Sequence, residues 1–223
     1  MTTQTITIPA NAKKLIFQNE PGSHTIILEP NAEIEYVMSF KDTPTSTATT
    51  TPETASPSSI IQFELKGDNS KARIYGLFAG KNHDQVKFET RTIHSGNSTS
   101  AHTNVKTLLR DEAKSDYFGL IRIEKHTTGN DGQLSHDTML LSKQAKSKSV
   151  PALEIEANDV KAGHSASVGQ VDEEALFYLR SRGLTEIQAR ELMIEGFFEE
   201  MLMQISDQEM ASTLRESLKK SLT

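Results

Sequence analysis

Apolar residues recur along this chain with two different periods, and the change between them divides the sequence. From about residue 60 to Val168 they alternate with polar residues in short runs such as IIQFEL, ARIYGLF and FGLIRIE, and turn sequences such as KGDNSK and HSGNS separate the runs. Alternation over short runs bounded by Gly, Asn and Ser predicts β-strands joined by turns. No stretch of helical period interrupts them, so the pattern predicts a sandwich, a barrel or a β-helix.

Residues 1–42 show the same strand-like pattern in the runs KLIFQ and EIEYVMSF. Each run follows a turn-like Asn-Ala pair, and the two pairs, at Asn11 and Asn31, lie 20 residues apart. That spacing is about the length of one coil of a β-solenoid, but two occurrences do not by themselves establish a repeat. Residues 43–59 are almost entirely Thr, Ser, Pro and Ala, so this segment predicts a disordered loop within the β region.

Beyond Val171 the period becomes helical. Asp172 is the predicted N-cap of a first helix, and Gly183 supplies a left-handed stop. A second helix opens with the capping box Thr185-x-x-Gln188, and a third opens at Ser206. The predicted apolar face of the second helix is Ile187, Ala189, Leu192, Met193, Phe197, Met201 and Ile205. The sequence therefore divides into N-terminal β coils (1–42), a loop (43–59), a β core (60–171) and a helical domain (172–223).

Composition narrows the classes of function. The chain of 223 residues has a net charge of -6, which disfavours nucleic acid, because phosphate binding needs clustered Lys and Arg. It contains no cysteine, which excludes disulfides and cysteine-based metal sites within it. No run approaches the roughly 18 apolar residues of a membrane span, and the first residues do not read as a secretory signal. We therefore expect a cytoplasmic protein.

One segment carries a family resemblance. PALEIEANDVKAGHSA, beginning at Pro151, is followed by DEEALFYLRSRG, which ends at Gly183. This order resembles the core-to-tail junction of the SufB/SufD family, the scaffold proteins of the SUF iron-sulfur cluster assembly system, in which P-x-LEI-x-x-DDVK-x-x-H-x-A leads into DEE-x-LFYL-x-SRG. The resemblance extends upstream through residues 94–142. It implies a mainly β fold, with a right-handed parallel β-helix core and a C-terminal α-helical appendage.

Within that family the chain resembles SufD. SufB-type sequences place a glutamate directly after the motif histidine and carry a core cysteine, whereas here Ser165 follows His164 and no cysteine is present. In SufD-type members the histidine faces the heterodimer interface, so the resemblance gives His164 an interface or metal-proximal role. Two departures are visible: Ala162 stands where many SufD sequences have cysteine, and the N-terminal helical region typical of the family is missing from this sequence.

The resemblance also implies partners. It predicts a non-enzymatic SufD-like scaffold that pairs through its β-helix core with a SufB-like paralogue or an identical subunit, and that binds a SufC-type ABC ATPase through its C-terminal helices. It predicts no permanently bound cofactor, but a transient iron-sulfur cluster at the shared interface. The predicted ATPase-binding residues are Asp172, Phe177, Tyr178, Leu179, Arg180, Arg182, Gly183, Phe197 and Phe198.

Other interpretations of the same residues stay open. His164, among small residues, also fits a hydrogen-bonded structural histidine, in which case the chain is a standalone homodimeric interaction module. A β-helix enzyme acting on polysaccharides is the third alternative, with Glu154 and Glu156 on one strand face as its candidate carboxylates. The remaining candidates for a metal site are histidines at predicted turns and strand edges, namely His94, His102, His126 and His136.

Overall fold

The structure is a computed structural model that describes residues 3–40 and 59–222. Within these residues the chain forms strands and then helices. The strands are β1 (Thr3–Ile8), β2 (Lys13–Gln18), β3 (Ser23–Leu28), β4 (Glu33–Met38), β5 (Ser59–Leu65), β6 (Lys71–Gly80), β7 (Gln85–His94), β8 (Ser100–Leu109), β9 (Lys114–Ile123), β10 (Asn130–Leu140), β11 (Lys146–Ile155) and β12 (Val160–Gln170). The helices are α1 (Glu173–Ser181), α2 (Glu186–Leu202) and α3 (Gln208–Leu222).

Consecutive strands alternate between two parallel sheets. Sheet A has the order β1-β3-β5-β7-β9-β11, and sheet B has the order β12-β10-β8-β6-β4-β2. Each coil of the chain therefore adds one strand to each sheet, which is the arrangement of a parallel β-helix. The prediction of a mainly β fold with a parallel β-helix core and a C-terminal helical appendage is confirmed.

The interior of the solenoid is filled by the alternate side chains that face inward from both sheets. In the first coils these are large and apolar, for example Ile26, Leu28 and Phe63, all fully buried. The strands also lengthen along the chain, from six residues in β1 and β2 to ten in β11 and eleven in β12. The solenoid therefore tapers, with a narrow N-terminal end and a broad C-terminal end.

Left-handed asparagines form one corner of the first coils. Asn11, Asn31 and Asn69 have φ values of 60°, 56° and 59°. The Asn31 amide donates to Asn11 Oδ1 at 3.1 Å, and the Asn69 amide donates to Asn31 Oδ1 at 3.2 Å. Asparagine tolerates positive φ better than most residues, so it suits these turns. The 20-residue spacing of Asn11 and Asn31 is one coil, as the sequence predicts.

The predicted loop at 43–59 lies outside the described residues except for its last position. Ser59 is the first residue of β5 and is fully buried, so the prediction of a loop is wrong there. Its hydroxyl accepts a hydrogen bond from the Gly22 backbone N–H at 2.8 Å. A serine fits this buried strand end because its polar group has a partner.

The structure confirms the predicted first residues of two of the three helices. The Asp172 carboxylate accepts hydrogen bonds from the first-turn N–H groups of α1, and Thr185 and Gln188 form the predicted capping box of α2. Gly183 has a φ of 98°, which confirms the left-handed stop. The predicted start of α3 is wrong, because Asp207 accepts from Glu209 N and Met210 N and acts as the cap.

Helices α2 and α3 pack on the outer face of sheet B. The predicted apolar face of α2 is wrong in part, because Ile187 is 71% exposed and Leu192 is 47% exposed, while Ile194, Phe198 and Leu202 are buried. Helix α2 has apolar residues on more than one face, so its periodicity does not decide which face meets the sheet. The packing partners on sheet B and α3 decide it; they include Val37, Tyr75, Leu77, Leu108, Ala211 and Leu214.

Two buried charged residues fix α2 and the α2–α3 junction to sheet B. Glu35, only 3% exposed, accepts from Ser206 N at 2.7 Å and from Ser206 Oγ at 3.0 Å. Lys106, 7% exposed, donates to the Phe197 carbonyl at 2.6 Å. A buried charge without partners is costly, so both residues stabilise the helices in this one position.

Candidate functional site

His164 lies on β12, which is the last strand of sheet B and pairs with β10 alone among the described strands. Its Cα partner across the ladder is Leu134, a buried residue of the solenoid interior. Alternation along β12 places His164 on the same inward side as Val160 and Ala162, which pack against the core. His164 is nevertheless exposed, because no further coil follows it in the described chain.

The last coil forms an open layer of inward positions, which we call the end layer. Leu153 and Ile155 of β11 belong to it and are 37% and 39% exposed, although the equivalent residue Ile121 one coil earlier is fully buried. Inward positions of β12 complete it. Its apolar and imidazole members are Leu153, Ile155, Val160, Ala162, His164, Ala166 and Val168, and the other inward positions of β11 are Ser147, Ser149 and Pro151. The end layer thus combines apolar side chains with one accessible imidazole.

A polar network lies directly beneath the end layer. His136 is fully buried, and its Nδ1 lies 2.8 Å from Ser149 Oγ of β11. Its Nε2 lies 3.0 Å from Thr107 Oγ1 and 3.3 Å from Thr138 Oγ1. The Tyr117 ring packs edge-on against this imidazole, with centroids 4.7 Å apart. Both nitrogens of His136 therefore have hydroxyl partners, and the interior changes from apolar to polar toward the end layer.

Burial keeps two interior histidines neutral. Loss of solvation lowers the pKa of His136 to about 4, and it lowers the pKa of His94 likewise to about 4. His94 Nδ1 lies 2.7 Å from Thr99 Oγ1, while its buried Nε2 has no hydrogen-bond partner in the described structure. Both residues, which the sequence leaves as candidate metal ligands, therefore lie in the core as neutral rings.

A groove crosses the outer face of sheet B and reaches His164. It has a volume of about 440 Å³, and its lining includes Arg73, His102, Gln133 and Gln204 of the α2–α3 junction. His102 Nε2 lies 3.4 Å from an Asp131 carboxylate oxygen. Arg73 is the one lysine, arginine or carboxylate residue among the described residues of the lining, and most of the others are neutral polar residues, so the groove presents a polar surface.

The described residues hold no group of three or more His, Cys, Asp or Glu side chains placed to bind one metal ion. His126 is a turn residue with a φ of 69°. Glu154, one of the two candidate carboxylates, is paired with Arg122 Nε at 2.8 Å on a half-exposed strand face. The geometry of Glu154 is that of a surface ion pair between neighbouring strands.

The predicted ATPase-binding residues divide into exposed and buried sets. Phe177 and Tyr178 of α1 are 73% and 54% exposed, and the Arg182 guanidinium lies 5.0 Å from the centre of the Tyr178 ring. Phe198 is 1% exposed and packs inside the helical cluster, and Phe197 is half-buried with Lys106 over its ring. The apolar surface open to a partner is therefore on α1 and the start of α2, where Ile187 adds to it.

Asp172 and Gly183 cap α1 at its two ends and so hold the exposed aromatic pair in place. Arg180 contributes an ion pair to Glu186 at 3.8 Å, and Leu179 is half-buried. These residues fix the position of α1 and add little to its exposed apolar area. Ile187, like Leu192, is an exposed residue that the sequence pattern predicts on the packed face of α2.

The network around His136 is not among the features that the sequence predicts. Its signal was the small hydroxyl residues at inward positions of β8, β10 and β11, where earlier coils have large apolar residues.

Helices in the described part of the chain are all too short or too polar to cross a membrane.

Comparisons with known proteins show which family this chain is similar to. The family model described as the SufBD core domain of SUF system FeS cluster assembly matches residues 58–197, more than half of the chain. The iron-sulfur cluster assembly protein SufD of Escherichia coli is 33% identical over 145 residues, which cover 65% of this chain and 34% of that protein. SufD of Bacillus subtilis is 32% identical over 133 residues, covering 60% of this chain and 30% of that protein.

A SufBD family protein of Mycobacterium leprae is 30% identical over 167 residues, which cover 71% of this chain and 43% of that protein. The matched region thus spans about a third of the length of the SufD proteins and less than half of the mycobacterial one.

Proposed function

This chain belongs to the SufB/SufD family of SUF iron-sulfur cluster assembly, and from this premise we propose that it is a SufD-like, non-catalytic scaffold subunit. It pairs through the end layer with a SufB-like or identical subunit, and it binds a SufC-type ABC ATPase through α1 and the start of α2. A cluster forms transiently at the paired interface, in the cytoplasm. The observation that carries the proposal is the open end layer, an apolar surface with His164 in it.

The chemistry of the two edge strands supports pairing at this end. An exposed strand edge is a template for another chain, and proteins that avoid such pairing protect edges with charges or proline. β11 carries Pro151 and several charged residues, whereas β12 contains one charged residue, Lys161, in its eleven positions. β12 is therefore the less protected edge, and it is the strand that carries His164.

The taper of the solenoid supports pairing between like ends. A partner that stacked its narrow end, with strands of six residues, on the broad end would leave several positions of β11 and β12 unpaired. A broad end facing another broad end matches strand lengths throughout. A SufB-like paralogue and a second copy of this chain both provide such an end.

A separate surface supports ATPase binding. Phe177, Tyr178 and Ile187 are each more than half exposed. Large apolar side chains grouped on a helical surface are typical of partner-binding sites. This surface and the end layer consist of different residues, so one chain has room for both partners.

Coexpression of the tagged chain with SufB-type and SufC-type proteins tests the proposal. We expect the unsubstituted chain to recover both partners. Ala166→Arg, which puts a charge in the end layer, should lose the SufB-type partner and keep the ATPase. The double substitution Phe177→Asp, Tyr178→Asp should do the reverse.

The matched control is Phe17→Ser, because Phe17 is a 38% exposed apolar residue at the opposite end of the solenoid. It should leave both partners bound. Recovery of neither partner by the unsubstituted chain would overturn the proposal.

The role of His164 is tested by the iron-sulfur absorption of the reconstituted complex. His164→Ala should reduce this absorption without loss of pairing. An unchanged spectrum would leave His164 a structural role only.

A further inference from the structure

The charges along β11 are arranged in opposite pairs about Pro151. Lys146 and Lys148 precede this proline by five and three residues. Glu154 and Glu156 follow it by three and five residues. All four side chains are exposed, and alternation puts them on the outer face of sheet A. A second copy of β11 that runs in the opposite direction, with the two prolines facing each other, therefore sets each lysine against a glutamate.

The inward positions of β12 read the same in both directions from His164. Ala162 and Ala166 lie two positions from this histidine, and Val160 and Val168 lie four positions from it. Side chains directly opposite each other on antiparallel strands are in contact. An antiparallel copy of β12 centred on the same histidine therefore sets valine against valine and alanine against alanine.

The two centres lie opposite one another across the solenoid. Pro151 pairs with Gly119 in the ladder of sheet A. His164 pairs with Leu134 in the ladder of sheet B. A Cβ atom on Gly119 would lie 2.4 Å from Leu134 Cδ1, so these two residues of the coil below face each other through the interior. One twofold axis perpendicular to the solenoid can therefore pass through both centres and relate two whole copies.

The backbone divides the work between the two strands. Val171 N donates to Leu140 O at 3.2 Å, so by alternation the N–H and C=O groups of His164 face the open edge of the described solenoid. On β11, Lys146 N donates to the preceding coil at 3.1 Å, which leaves Pro151 as the central edge-facing residue. Proline has no N–H to give to a ladder. Strand β12 therefore forms the ladder between copies, and β11 contributes its charges.

We propose that two copies of this chain pair through the end layer about this axis, and that the β11 charges fix the register. Lys146 of one copy then faces Glu156 of the other, and Lys148 faces Glu154. The two His164 imidazoles lie side by side on the axis. The proposal rests on the proposed function, since it uses the surface assigned there to pairing; a SufB-type protein would compete for that surface.

The charges are needed because β12 specifies register weakly. Positions 162–167 are alanine, glycine, histidine and serine, and strands rich in small residues slip readily. On β11, a slip of two residues leaves Lys148 against Glu156 or Lys146 against Glu154, and so keeps half of the ion pairs. The pattern is complementary to itself, and the molecule that fits it is therefore another copy of the same chain.

Charge exchange at the outer pair tests the proposal. Lys146→Glu and Glu156→Lys each reverse one member of that pair. Within the chain both substitutions are favourable, because Lys146 lies beside Lys114, and Glu156, by continuation of the same register, lies beside Glu124. We expect each variant alone to weaken the dimer about tenfold in sedimentation equilibrium at low salt, because two attractive contacts become repulsive.

The two variants should also complement each other. In an equimolar mixture, one copy has only negative charges at positions 146 and 156 and the other has only positive ones, so a mixed dimer should form. The variant with both substitutions should dimerise like the unsubstituted chain, because its charges are exchanged but still complementary. Added salt should weaken the unsubstituted dimer, since it screens exposed charges.

The matched control is Lys14→Glu, which makes the same change at an exposed lysine of β2, at the narrow end. It should leave the dimer unchanged. Dimers of equal strength in all variants, or a loss that neither the mixture nor the double variant restores, would overturn the proposal. A monomeric unsubstituted chain would also overturn it, and capture of the SufB-type protein by that monomer would leave the proposed function standing with a paralogue as the partner.

Discussion

At the scale of single residues, position within a coil decides what a histidine does. His136 and His164 lie on adjacent inward-facing positions of neighbouring strands, yet one is fully buried and neutral while the other is exposed. The last coil of the chain covers His136, whereas no further coil covers His164 in the described structure. Removing an imidazole from water disfavours its charged form, and the buried pair His94 and His136 therefore links folding to pH.

We expect the free energy of unfolding to fall as the pH drops from about 6.5 toward about 4. The pKa of each buried histidine is lowered to about 4 from its ordinary value of 6.5, so the unfolded chain binds protons in this interval that the folded chain does not. Stability is retained above the upper value and lost progressively below it, by up to about 3 kcal/mol per histidine. Urea unfolding across this pH interval measures the slope.

The variant with both His94→Gln and His136→Gln should show a flatter dependence on pH over the same interval. His83→Gln is the matched control, since its side chain is 80% exposed, and it should leave the slope unchanged. An equally steep slope in the double variant would assign the acid sensitivity to other groups.

Asn31 makes a second prediction at the residue scale, because its φ of 56° disfavours most side chains. We expect Asn31→Ala to lower the free energy of unfolding by about 1 to 2 kcal/mol, because alanine loses the side-chain ladder and tolerates a left-handed backbone less well than asparagine does. Asn31→Gly removes the same ladder hydrogen bonds without that strain and should cost less. Thermal unfolding of the two variants compares them; equal losses would show that the ladder, and not the backbone conformation, stabilises this corner.

At the scale of elements, the helices are held to sheet B by an apolar cluster and by buried charges. We expect Glu35→Gln to lower the free energy of unfolding by about 2 kcal/mol, because Glu35 accepts hydrogen bonds from Ser206 and from Arg73 in a buried position. Amide exchange in the first turn of α3 should rise in the same variant, since Ser206 precedes that turn.

Glu33→Gln provides the control for this prediction. Glu33 lies on the same face of β4, but its partner Lys13 is 75% exposed, so the loss should be below about 1 kcal/mol. Similar losses in the two variants would mean that burial of Glu35 adds nothing to its contacts with the helices.

At the scale of the whole molecule, the taper favours pairing of like ends. The absence of cysteine allows single cysteines to be introduced without background. We expect a short bis-maleimide to cross-link copies that carry Ser165→Cys, on β12, and to leave copies with Thr5→Cys, on β1, unlinked. Cross-links found only in an equimolar mixture of the two variants would show head-to-tail stacking and contradict the like-end arrangement.

Much of this architecture is readable in the sequence, because it depends on local chemistry. Alternation predicts the strands, Asn11 and Asn31 predict the length of a coil, and Asp172, Thr185 and Gly183 predict the ends of the helices. These signals act over a few residues, through backbone dihedral angles and caps, so no distant part of the chain is needed to interpret them. The choice of a β-helix came instead from the family resemblance, since alternation alone left three β architectures open.

The tertiary structure decided which of these residues meet. Helix α2 has apolar residues on several faces, and only the position of sheet B and α3 selects Ile194 and Phe198 for burial and leaves Ile187 exposed. The network at His136 joins hydroxyl groups from three strands, and its contacts span up to 29 positions of sequence. The exposure of His164 likewise depends on the coil that ends the described solenoid. Each of these outcomes is set by long-range packing, because burial depends on what the rest of the chain places above a residue.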